Sequence, residues 1–390
     1  MITQIKTAAN LRNLLFLICA ISLSLTSQAY AQDNSFQMGG YYKNLFITTQ
    51  SSTTKEGIAS DLQRLRLEFK EHIDPWQFYL TLDNEAVLND FANTSDFDIV
   101  RSKSQNNLAA WDLDKVSVDD DHLYLKHSIY RAYAKYHSPQ FQAVVGKQAI
   151  DWGRMRFYSP LDIFNPTGPI DLEPEERVGT DAINLNFSPE NFVGINAVAA
   201  PGENSGETSF GLKLYKTISP YDLAFIAASV RKDTVVGFSF DGSLSQAGFR
   251  GEVTHTEQDN KKSFTRLSVG MDYNFNDKLY ALWEQFFNDG HEDNNPGTFT
   301  SSYRLARQIL SLKKNLTSIL FKYSLTPLLE LSTATIYDWD AKSIVVNPQF
   351  KYNVSSNVDI VVGSQMFFGN TNSEFGPYEH LYYVEFKWFF

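Results

Sequence analysis

The sequence predicts an all-β fold, a transmembrane antiparallel up-and-down β-barrel of about 18 strands with a loop folded into its interior. Three observations lead there. Segments that alternate apolar and polar residues recur from Phe36 to the chain end. Aromatic residues are abundant, with 20 Tyr and 30 Phe, yet after residue 31 no apolar run approaches the roughly 18 residues that mark a membrane helix. The single cysteine, Cys19, rules out a disulfide framework.

The chain opens on a segment that belongs to no fold. Lys6 and Arg12 supply a basic leader, and residues 13–26 are mostly apolar but too short to cross a bilayer. Ala29, Tyr30 and Ala31 place small residues at the two sites a signal peptidase reads. Residues 1–31 therefore read as a secretory signal peptide, and residues 32–390 as a single transmembrane barrel. The alternative is a buried N-terminal helix. Cys19 follows Ile18 inside the apolar run, which argues against a lipid anchor. Cleavage removes Cys19, Lys6 and Arg12, leaving 32 basic and 45 acidic residues and a net charge of −13. That balance disfavours nucleic acid as a partner.

The strands follow from period-two patterning. In "TRLSVGMDYNF", Leu267, Val269, Met271, Tyr273 and Phe275 share one face, and Arg266, Ser268, Gly270, Asp272 and Asn274 the other. "RLRLEFK" sets Leu65, Leu67 and Phe69 against Arg64, Arg66, Glu68 and Lys70. "VVNPQFKYN" repeats the pattern, with Pro348 awkwardly on its apolar face. A soluble sandwich would also alternate, so the connections matter more. Tight turns (HSPQ, SPEN, ISPY, FNDK, SLTP) alternate with long links near residues 86–121, 151–179 and 289–312. Short turns on one side and long loops on the other describe a membrane barrel. Closure has a simple cause: in hydrocarbon an open sheet edge leaves a row of backbone groups without partners. The chain ends on "LYYVEFKWFF", with Tyr382, Val384, Phe386, Trp388 and Phe390 outward and Glu385 and Lys387 inward. Phe386, Trp388 and Phe390 are the expected insertion signal, read by barrel-assembly machinery.

Inward positions should carry function. Arg64, Arg66, Arg131, Lys135, Arg250, Arg266 and Lys351 are the basic candidates to line the lumen. Glu68, Asp83, Glu252, Asp272, Glu284 and Glu330 are the acidic ones. Such charges can pair and brace the wall, or order an aqueous path and set its selectivity. The link after Ile150 holds Trp152, Phe157, Tyr158, Ile163, Phe164 and Ile170, which need shelter that only the barrel interior offers. It should fold inward, bringing Arg154, Arg156 and Arg177 against Asp151, Asp162, Asp171, Glu173, Glu175 and Glu176 at a pore constriction. A flap on the rim is the alternative. Lumen arginines argue for anions and the net charge for cations. The local field should prevail, because exposed charges are screened within about 8–10 Å.

Other chemistries lack their motifs. The sequence has no G-x-S-x-G, no phosphate-binding glycine loop and no H-E-x-x-H. No cofactor and no metal site is expected, although Asp119–Asp121 and the run from Asp289 to Asn295 have calcium-compatible composition. The chain is too short for a siderophore transporter's plug and larger barrel.

The stretches "GKQAIDWGRMRFYSPLDIFNP", "EERVGTDAINL" and "LYYVEFKWFF" resemble a porin-like family of Gram-negative outer-membrane barrels. The family's loop motif runs roughly G-R-Q-x-I-x-W-G-x-x-R-F-x-N-P-x-D-x-F-N-P. Lys147 stands here where arginine is usual, and Ser159 where asparagine is usual. A more distant likeness is to alginate-export barrels, at Gly146, Lys147, Gln148, Gly153, Arg156, Arg177, Asp181 and Ala182. The resemblance implies a channel for small or extended hydrophilic solutes, anionic ones included. It also implies an outer-membrane setting of lipid bilayer and lipopolysaccharide. An export conduit for an acidic polysaccharide, or a closed barrel with an enzymatic or adhesive role, are the alternatives.

Overall fold

A computed structural model describes residues 35–51, 54–88, 91, 94, 97, 110–165, 179–190, 192–202, 207–259, 262–291, 311 and 313–390. The expected signal peptide lies outside these residues. Nineteen strands occur among them, all in one sheet. They are β1 (Phe36–Gln50), β2 (Gly57–Ile73), β3 (Trp76–Leu88), β4 (Asp114–Asp120), β5 (Leu123–His137), β6 (Phe141–Gln148) and β7 (Thr180–Glu190). Then come β8 (Val193–Ala200), β9 (Ser209–Ile218), β10 (Tyr221–Val230), β11 (Asp233–Leu244), β12 (Ala247–Glu257) and β13 (Phe264–Asn274). The last are β14 (Leu279–Asn288), β15 (Asn315–Thr326), β16 (Leu329–Asp338), β17 (Ser343–Ser355), β18 (Val358–Phe368) and β19 (Leu381–Phe389).

Eighteen strands form a closed antiparallel ring, sealed where β1 pairs with β19. The terminal residue takes part, since Phe390 N–H donates to Gly40 O at 3.1 Å and Gly40 N–H donates back at 3.0 Å. The nineteenth strand was not expected. β4 lies within the long link that the sequence placed near 86–121, and it pairs with residues 123–128 of β5. β6 pairs with residues 132–137 of the same strand. β4 thus continues the wall where the eight-residue β6 stops.

The strands joined by the five tight turns meet at the barrel end that carries both termini, and the strands flanking the long links end at the other. The outward face is apolar: Phe210, Leu212 and Leu214 on β9, and Leu267 and Met271 on β13, are exposed. The last strand turns Tyr382, Val384 and Phe386 the same way. Pro348 also has a place. Its ladder to β16 is unbroken, whereas that to β18 skips from Val346↔Met366 to Gln349↔Gly363. The missing N–H therefore faces β18, where the pairing gap absorbs it.

The interior is packed by side chains from the connections as well as from the wall. One apolar cluster joins Ile150, Trp152, Leu161, Ile163 and Phe164 to inward residues of β7, β8, β10 and β11. A second joins Phe157, Tyr158 and Phe375 to inward residues of β14–β18. In a third, Phe91 and Phe97 pack near Val87 and Tyr124.

Candidate functional site

The connection after β6 crosses the lumen. Its neck is closed by side chains: Asn165 accepts the Ile150 N–H at 2.7 Å and donates to Thr180 Oγ1 at 3.0 Å, while the Thr180 hydroxyl donates to Phe164 O. Gln148 donates to Val144 O and Ala182 O, tying the root of the loop to β6 and β7. Beyond the neck Trp152, 3% exposed, meets Phe164 edge to face at 5.0 Å. Its indole N–H donates to Asn196 Oδ1 at 2.8 Å. The wall makes room at Gly211, where a Cβ would stand 2.6 Å from the Trp152 ring. Farther along, Tyr158 stacks on Phe286 at 5.0 Å, and the Ser268 hydroxyl donates to Tyr158 O at 2.6 Å. Burial pushes the Tyr158 phenol well above its ordinary pKa.

Between these anchors the loop's backbone is held by wall carboxylates. Glu252 accepts the Arg154 and Met155 N–H groups on one oxygen, and the Ser159 hydroxyl and Leu161 N–H on the other. Glu284 accepts the Arg156 N–H at 2.8 Å and the Phe157 N–H at 2.9 Å. Side chains then sort by environment. Trp152, Met155, Phe157 and Tyr158 are buried, whereas Asp151, Arg154 and Arg156 are exposed.

The remaining sequence candidates fall into distinct places. Asp162 is buried between Leu161 and Ile163 in the base of the loop, not on its open side. Asp171, Glu176 and Arg177 lie outside the described residues, as do Ile170, Glu173 and Glu175. Among the lumen candidates, Arg64, Arg66, Arg131, Lys135, Arg250, Glu252, Arg266, Asp272 and Glu284 occupy inward positions, but most are engaged. Arg66 grips Asp83 with two bonds of 2.6 Å and lies over the Tyr130 ring at 3.9 Å. Arg64 donates twice to Glu85. Arg250 pairs with Asp272 and stands 3.8 Å from Asp241. Arg266 is buried over Phe264 at 4.5 Å. Arg131, half-buried, lies over Tyr130 at 4.6 Å, and Lys135 is half-buried. Glu252 and Glu284 differ most from expectation: both are buried under the loop, bound to its backbone rather than facing water.

Sequence reasoning missed a second in-folded connection, residues 369–380. Its Ser373, Glu374 and Phe375 are buried. Glu374 accepts the Ser311 hydroxyl at 2.9 Å, and the Phe375 N–H donates to Ser343 Oγ. Phe375 joins the cluster that holds Phe157 and Tyr158. The signal was available in "SEFGPYEH", which mixes aromatics, Pro and Gly as the first loop does. No group of three or more His, Cys, Asp and Glu side chains is placed to hold a metal among the described residues.

No family model and no curated protein matches the sequence. Solved structures match in fold. OccAB1 of Acinetobacter baumannii is 11% identical, with a TM-score of 0.61 over 93% of this chain and 98% of that one. OccAB3 of the same organism is 13% identical, with a TM-score of 0.59 over 91% and 99%. The outer membrane protein OprD from Pseudomonas aeruginosa is 10% identical, with a TM-score of 0.57 over 93% and 95%. At such identities the likeness is one of fold, and this chain is built on the same barrel plan as those proteins.

Proposed function

We propose that residues 32–390, freed of a signal peptide at residues 1–31, form an outer-membrane channel. It would pass small or extended hydrophilic solutes by diffusion, with a preference for anions, and act as a pore and not as an enzyme. The long loops would face outward from the cell and the tight turns the periplasm. The outer-membrane description of the OprD match supports this setting. Lipopolysaccharide would surround the outer half of the barrel, and assembly machinery would insert it.

One observation carries the anion preference. At the loop crossing, the two wall carboxylates that could attract cations are occupied by backbone N–H groups, while the Arg154 and Arg156 side chains remain exposed. Selectivity follows the charges nearest the path. The test is a planar-bilayer recording of the mature protein under a KCl gradient. Discrete steps with a chloride-favouring reversal potential are expected, and Arg154→Ser with Arg156→Ser should abolish that preference. A silent protein would mean a closed barrel. A selective one indifferent to both substitutions would put the selectivity filter elsewhere.

A further inference from the structure

Glu252 and Glu284 look like the negative charges of a lumen. We propose instead that they are positioning residues, which fix where Arg154 and Arg156 stand and so favour anions. This rests on the reading of the site above. Each carboxylate collects two successive N–H groups, one of them from an arginine: Arg154 and Met155 at Glu252, Arg156 and Phe157 at Glu284. Successive backbone N–H groups turned onto one anion form a nest. Here the anion belongs to the wall and the nests to the loop. Only β13 separates β12 from β14, so the two carboxylates rise from strands roughly 10 Å apart. The loop bridges that span with Arg154 and Arg156 each fixed at its own amide. Met155 and Phe157 point to the protein side and are buried, which leaves the arginines on the open side.

The two roles predict opposite signs. A lumen acid that merely adds negative charge would, when neutralised, make the channel more anion-selective. A positioning acid would, when neutralised, release the arginines and make it less so. Glu252→Gln keeps the side chain's shape but turns an amide NH2 toward groups that are themselves donors. Ser268→Ala removes another tether, the bond to Tyr158 O, without changing any charge.

The experiment compares the mature protein with Glu252→Gln, Glu284→Gln and Ser268→Ala, using reversal potentials under a KCl gradient and hydrogen exchange of the loop amides. Folded protein is selected by heat-modifiable gel mobility. Ser268→Ala keeps the test open if a glutamine variant fails to assemble. All three variants should shift toward potassium, and exchange at residues 154–157 should rise at least about tenfold. A shift toward chloride in the glutamine variants would overturn the proposal, as would unchanged exchange. Faster exchange in a protein that shows no chloride preference to begin with would uphold the positioning role and sink the anion reading.

Discussion

Gly211 offers a way to move the loop without touching it. This inward residue of β9 lies beneath the loop, and a Cβ there would stand 2.6 Å from Trp152 Cη2 and 2.9 Å from Phe164 Cζ. Both atoms are ring tips locked by their neighbours, Trp152 through its bond to Asn196 and Phe164 through its edge contact with Trp152. Relief to an ordinary carbon–carbon separation of 3.5–4.0 Å requires Trp152 to retreat by roughly 1 Å. Overpacking of this kind costs about 1–3 kcal/mol, and a strained or lost indole bond adds about 1 kcal/mol. The lower entropy of an unfolded chain with alanine returns about 0.4–1 kcal/mol to overall stability but nothing to loop docking. Gly211→Ala should therefore disfavour docking by about 2–4 kcal/mol, a shift of roughly 30-fold or more in the docked-to-undocked ratio. The strand pairings of Gly211 with Val198 and Ala228 use backbone only and should persist. In single-channel recordings the variant should flicker to larger conductance levels, and Gly211→Val should do so more often. Wild-type conductance, noise and reversal potential in both variants would refute the docking of the loop against β9.

Other substitutions test the wall and its assembly. Arg66→Ala leaves the buried Asp83 with Arg64, at 3.7 Å, as its remaining cationic partner, so the loss should stay below the about 3–5 kcal/mol that an uncompensated buried charge costs. The denaturant midpoint in detergent should fall accordingly, and Asp83→Asn in the same chain should recover part of the loss. Pro348→Ala restores an N–H that faces the pairing gap to β18 and loosens the unfolded chain; the midpoint should fall by the equivalent of about 1 kcal/mol, with channel currents unchanged. Phe390→Ser should lower the share of heat-modifiable barrel recovered from membranes, while the protein that does fold keeps wild-type currents.

The strands were open to sequence reading because a bilayer imposes one rule on every one of them. Leu267, Val269 and Met271 face outward for the same reason as Phe210 and Leu212, so the period of two survives along the whole chain. β4 escaped because it answers to a different rule. "DKVSVDD" is seven residues long, rich in acid and largely exposed, and it pairs through β5 alone. The inward turn of the 149–165 loop was readable from its aromatics, since Trp152, Phe157, Tyr158 and Phe164 have no other shelter. The place of Asp162 was not. Its neighbours Leu161 and Ile163 are almost fully buried, and the backbone carries the carboxylate in with them.

Glu252 and Glu284 mark where reading by residue type must stop. Their inward direction follows from strand parity alone. Their role depends on groups that every residue but proline carries alike, the backbone N–H groups of a segment 98 and 128 positions away. Such a partner leaves no trace in residue identity, because Arg154 and Met155 donate to Glu252 through atoms that their side chains do not alter. The side chains decide only what faces the opening once the backbone is fixed. The same two acids in a barrel whose loop lay on the rim would face water and draw cations. Beneath this loop they accept its backbone N–H groups instead. On the proposed reading the sign of selectivity is a property of the loop's path, and residues chosen only for their charge will mispredict it wherever a backbone lies across them.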